Sequence, residues 1–160
     1  MSAWNRDLSE RERELLRGPL AVQVAGASAR LEPQVCRGWG AEFADGQLTV
    51  ILLDAQTEVL RATLAATRTI AVNTTHPVTL ASLQWKGDVV EIAEPDDAAR
   101  AEATRRTEQF LDALRAAGIV RAPTPGVFHP GPARRVTLRV REVFDQTPGP
   151  GAGREVQGSP

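Results

Sequence analysis

Six short segments of this chain have strand composition, several of them with apolar residues at every second position, and no regular spacing of helices separates them. A period of two puts side chains on alternate faces of an extended strand. Leu20, Val22 and Val24 alternate with Ala21, Gln23 and Ala25 in the first segment. Residues 34–43, 47–53 and 69–73 supply three more, with Gly38 and Gly40 interrupting residues 34–43 where a bulge or a close ligand approach is expected. In residues 80–92, Leu83, Trp85 and Val89 fall on one face and Gln84, Lys86 and Asp88 on the other. Val136, Leu138 and Val140 repeat the pattern in residues 135–144. The order lacks βαβ alternation, so the expected class is mainly β (α+β): a six-stranded antiparallel barrel with appended helices.

Helix signals are few. Asp7 and Glu10 have capping-box spacing ahead of a Glu-, Arg- and Leu-rich run that Gly18-Pro19 stops. Residues 57–66 have helix-forming composition, and residues 97–117 form the strongest helix, with Phe110, Leu111 and Leu114 as its apolar stripe and Gly118 as its end. Residues 44–46 read as a turn, and residues 122–132, with four prolines, as a connector. The Gly/Pro-rich tail from Thr147 is expected to hold no regular structure, to be disordered beyond Gly153, and to lie along a partner subunit. One domain over residues 1–146 with a tail over 147–160 is the resulting division, a size that buries a core without metal or disulfide staples.

Charge narrows the partners. With 19 Lys plus Arg against 20 Asp plus Glu, the chain has no broad basic field for nucleic acid. Lys86 is the sole lysine, and heavy use of Ala, Arg, Gly and Pro resembles a GC-rich bacterial composition. Cys36 is the sole cysteine, so no intrachain disulfide or cysteine-based zinc site is available. With no apolar signal core and no run long enough to cross a bilayer, the expected location is cytoplasmic.

Three motifs then carry a resemblance: Val35-Cys36-Arg37-Gly38-Trp39-Gly40, Ser82-Leu83-Gln84-Trp85-Lys86-Gly87, and Phe144-Asp145-Gln146-Thr147-Pro148-Gly149-Pro150-Gly151. In this order they resemble a branch of the pyridoxamine 5'-phosphate oxidase-like FMN-binding split barrels, over residues 8–153. The resemblance implies a split β-barrel working as a homodimer, with FMN in a groove at the interface and its phosphate held by polar side chains. It implies Gln84 and Lys86 at the phosphate, Arg37 near the flavin ring, and Gln56, Thr57 and Arg61 as additional contacts. A phosphate needs converging cations and N–H or O–H donors, which these residue types supply. Flavin-binding relatives commonly carry a basic residue at the start of the helix after the third strand; here residues 54–58 carry Asp54 and Glu58, which disfavours phosphate or admits another ligand.

The implied activity is a flavin-dependent oxidoreductase of unspecified substrate. The alternative is a non-catalytic binding or sensing module holding flavin, deazaflavin or haem. Arg37 beside Trp39 suits a planar or anionic ligand, or a rim contact without one. Trp85 is expected in the barrel core, Cys36 as a buried small residue, and His76 and His129 in turn or interface roles, with no metal site. Arg135, Arg139 and Arg141 form a solvated edge, and the Gly-Pro tail lacks the Lys-Ser/Thr ending of a nucleotide loop.

Overall fold

The computed structural model describes residues 7–119 and 131–156. Its first helix, α1 (Glu10–Arg17), starts at a reciprocal cap: Ser9 Oγ accepts from the Glu12 N–H, and the Glu12 carboxylate accepts from the Ser9 N–H at 2.7 Å. The cap is thus Ser9–Glu12 and not the equally spaced Asp7–Glu10, and it leaves Leu15 and Leu16 on the buried side. At the far end the Gly18 N–H donates to the carbonyls of Glu14 and Leu15.

The strands are β1 (Ala21–Ala27), β2 (Pro33–Ala44) and β3 (Gln47–Leu53); helix α2 (Asp54–Thr67) follows, then β4 (Thr69–Thr75) and β5 (Ser82–Ile92), helix α3 (Asp97–Ala116), β6 (Ala133–Asp145) and the two-residue β7 (Arg154–Glu155). Every pairing is antiparallel in the order β3-β2-β1-β4-β5-β6-β7, and β3 also pairs with β6, which closes six strands into a barrel. The expected period of two is realised: Val22, Val24, Leu48, Val50, Val72, Trp85, Val136, Leu138 and Val140 fill the interior. Trp85 sits there with its Nε1–H donating to Thr74 Oγ1 at 3.0 Å, so its one polar atom is satisfied. The bulge expected in β2 falls at Gly40, whose φ of +64° suits glycine and shifts the register between Trp39 and Ala41.

Both barrel mouths are plugged. Leu60 and Leu64 of α2 enter the same core as the strands, against bare backbone at Gly26, where a Cβ would stand 2.9 Å from Leu64 Cδ2. Leu15 and Leu16 of α1 join that core with Leu20 and Leu83. Helix α3 lies on the outside, over β2, β3 and β6, with its own cluster of Trp39, Ile51, Leu53, Ala99, Ala103 and Ala133. Its buried line is Ala99, Ala103, Thr107 and Leu111; of the expected stripe Leu111 is buried as anticipated, while Phe110 and Leu114 give way to small residues that let the helix approach the sheet closely. Phe110 and Leu114 are only half-buried.

The tail departs from expectation. After a turn through Pro148 to Gly153, β7 pairs with Phe144 and Asp145, and Val156 packs on the core with its N–H donating to the Val143 carbonyl at 2.7 Å. Composition suggests solvated coil, yet the Gly-rich turn reverses the chain onto its own sheet edge. The proline-rich connector is outside the described residues up to Pro130, as are His129 and residues 157–160. His76 takes a turn role: its Nδ1 accepts from the Val78 and Thr79 N–H groups, both at 3.2 Å.

Candidate functional site

Because α3 covers β2, β3 and β6, the outward residues of β1, β4 and β5 remain at the surface. Register aligns them in rows. Arg37, Gln23, Asn73, Gln84 and Phe144 are successive cross-strand partners, and Val35, Ala25, Ala71, Lys86 and Glu142 form the next row. Gln84 and Lys86 therefore share one face, two residues apart on β5. Lys86 Nζ lies 4.4 Å from the centroid of the Phe144 ring and has no ion-pair partner among the described residues. Around it the polar groups are linked: Asn73 Nδ2 donates to Gln23 Oε1 at 3.0 Å, Ser82 Oγ donates to Asn73 Oδ1 at 3.1 Å, and Gln146 Nε2 donates to Gln84 Oε1 at 3.5 Å. Val35 adds apolar surface at 63% exposure, and Ala21, Ala25 and Ala71 keep the sheet face low.

The start of α2 is a second polar centre. Asp54 accepts two hydrogen bonds from Arg134, Nε to Oδ1 and Nη2 to Oδ2, both 2.6 Å, and Arg61 Nε stands 3.7 Å from Oδ1. These contacts, led by the Arg134 hydrogen bond, hold the Asp54 carboxyl below its ordinary pKa against the opposing effect of burial. The acid expected to repel phosphate is thus neutralised by two guanidiniums. Thr57 is buried, donating its hydroxyl to the Leu53 carbonyl at 2.8 Å and accepting from Arg61 Nε at 3.3 Å. Its hydroxyl proton is committed within the helix. Gln56 is exposed and its carbonyl accepts from Cys36 Sγ at 3.2 Å; burial pushes the Cys36 thiol pKa up, so Arg37 beside it does not activate it.

Arg37 stands apart from both groups. Three inter-strand steps, roughly 14 Å at ordinary strand spacing, separate it from Gln84 on the same face. Its guanidinium lies over the rings of Trp39 and Phe110. The structure thus joins Gln84 with Lys86, and Thr57 with Arg61, while Gln56 and Arg37 occupy positions of their own. The site roles of Phe144, Asn73 and Phe110 escape the sequence: Phe144 opens the third motif, but only the register puts its ring beside Lys86. Gln23 and Asn73 are single polar residues in strands, with no signal of a shared row.

No family model and no curated protein matches the sequence. Solved structures do. An F420 reductase is similar with TM-score 0.54 at 16% identity, covering 85% of this chain and 98% of that one. A provisionally assigned pyridoxamine 5'-phosphate oxidase from Lactobacillus delbrueckii gives 0.54 at 19% identity over 90% and 99% of the two chains. HupZ of group A Streptococcus gives 0.52 at 19% identity over 92% and 100%. Identities this low speak to architecture and not to activity. The closed six-stranded barrel with its appended helices therefore has the split-barrel fold of the pyridoxamine 5'-phosphate oxidase-like proteins.

Proposed function

We propose that this chain binds FMN at the interface of a homodimer and acts through it as an oxidoreductase in the bacterial cytoplasm. The observation that carries the reading is the pairing of Gln84 and the sole lysine, Lys86, on an outward strand face over which no helix lies among the described residues. Names of solved neighbours, one an F420 reductase and one an assigned pyridoxamine 5'-phosphate oxidase, agree with a flavin-type cofactor. The groups present suit FMN. Lys86 offers a cation without a carboxylate partner among the described residues, Gln84 offers an amide, Phe144 offers an aromatic face, and the first turn of α2 carries no side-chain cap on its N–H groups. Bound flavin supplies the electron or hydride transfer, and the chain binds, orients and shields it. A second copy is the natural second wall, since the alanines of β1 and β4 permit close approach and Val35 gains burial there.

Lys86→Gln tests the phosphate contact. The loss of its ring contact with Phe144 limits the stability cost to about 1 kcal/mol. FMN is expected to bind more weakly by about 1.5–3 kcal/mol, the scale of a charge-assisted hydrogen bond, while riboflavin, which lacks the phosphate, is unaffected. Flavin-fluorescence titrations of both ligands measure the difference, and equal weakening of the two would contradict a phosphate contact.

A further inference from the structure

Among the described residues, Arg37 is a cation without a counter-charge and without a hydrogen-bond partner for its Nε–H. Its Cζ lies 4.6 Å from the Trp39 ring centroid and 4.4 Å from that of Phe110, while Nε and Nη2 are buried and meet no hydrogen-bond partner. Other half-buried arginines of the chain do better: Arg134 holds Asp54, Arg106 holds Glu102 and Arg135 holds Asp96. Trp39 Nε1, two residues along the same strand face, is buried and unpartnered too, and so is Gln109 Oε1 on α3 next to Phe110.

Nε–H and the adjacent Nη2–H lie on one edge of the guanidinium and form the fork that grips two oxygens of a carboxylate or phosphate. Contacts with two aromatic rings engage the face of the cation and leave that edge for a partner. An unpaired buried cation is costly, and burial indeed pulls the Arg37 pKa down. An apolar side chain would fill this place at lower cost, so the arginine is explained by something it binds.

We propose that the Nε/Nη2 fork of Arg37, with Trp39 Nε1 beside it, binds the oxyanion of a small-molecule substrate, a carboxylate or a phosphate ester. The role of that molecule as substrate rests on the flavin reading; the oxyanion site itself does not. Half-buried Phe110 stands over the face of the guanidinium and not over that edge.

The test uses the full chain, with intrinsic tryptophan fluorescence and thermal melting followed during titration with benzoate, phenyl phosphate and uncharged benzamide. Benzoate or phenyl phosphate is expected to perturb Trp39 and raise the melting temperature, the tighter of the two naming the oxyanion, while benzamide does neither. Arg37→Met should weaken the anion at least about tenfold yet melt higher than the parent when no ligand is present. Arg37→Lys should fail to restore binding, because a point charge cannot grip two oxygens. Equal response to benzamide, or an anion response unchanged in Arg37→Met, would overturn the proposal, as would a lower melting temperature of Arg37→Met with no anion response in the parent. FMN and riboflavin are titrated in parallel. If Arg37→Met weakens FMN but not riboflavin, the fork holds the flavin phosphate and the substrate proposal falls. If the parent binds no flavin but keeps the anion response, the flavin reading falls and the oxyanion site stands.

Discussion

Replacing Gly87 with alanine is expected to remove about 3 kcal/mol or more of stability, a large share of the 5–15 kcal/mol typical of a domain. Gly87 faces the barrel interior opposite Ile70, at a register shift between β5 and β6. A Cβ built there would overlap the backbone carbonyl of Arg139 and stand 3.2 Å from Leu138 Cδ1. The carbonyl belongs to the ladder and cannot swing aside as a side-chain tip can, so the two strands must separate or the register must slip. Gly131 is the control: a Cβ there meets nothing within 4 Å among the described residues, and Gly131→Ala should change stability by no more than about 0.5 kcal/mol. Chemical denaturation of the three proteins gives the comparison. A parent-like Gly87→Ala would mean that β5 and β6 do not need this close approach at Gly87.

Removing Arg134 has the second largest expected effect. Arg134 and Asp54 are 13% and 20% exposed, and their bidentate contact ties the start of α2 to the start of β6, the strand that neighbours β3. Arg134→Gln leaves Asp54 with only the longer contact to Arg61, at a cost of about 2 kcal/mol near neutral pH, below the range for a fully buried pair. The pH dependence has a definite sign. The folded Asp54 pKa is depressed, so its stabilisation is complete above the unfolded value of about 4 and is lost as the pH falls through the lower folded value. Parent and variant should therefore differ most above about pH 5 and converge in acid. Denaturation curves over that range check it; a gap that widens on acidification would show that Asp54 is not the group Arg134 stabilises.

The barrel was readable because each strand has one face in a dry interior. Val22, Val24, Trp85 and Leu138 announce it by alternation, and the Gln47–Leu53 strand has its expected ends because Gly46 and Asp54 bound it. What escaped depends on partners distant in sequence. Asp54 reads as a repulsive acid until Arg134, eighty positions later, is seen to neutralise it. On α3, size favours Phe110 for the buried face, whereas close helix–sheet approach selects Ala99 and Ala103. The tail's turn and its return to β6 rest on backbone hydrogen bonds that composition does not encode. Gln84 and Lys86 could be paired from strand period alone, but the rows that join them to Asn73, Phe144 and, three strands away, Arg37 require the register.

The central claim joins a flavin to a pair of chains, and one measurement addresses both: light scattering with absorbance detection on protein loaded with FMN and passed through a size-exclusion column. The predicted result is a single peak of twice the chain mass that carries the flavin absorption band. A peak of one chain mass that still carries flavin would contradict the interfacial site, and a dimer with a Soret band or without any chromophore would contradict FMN as its ligand.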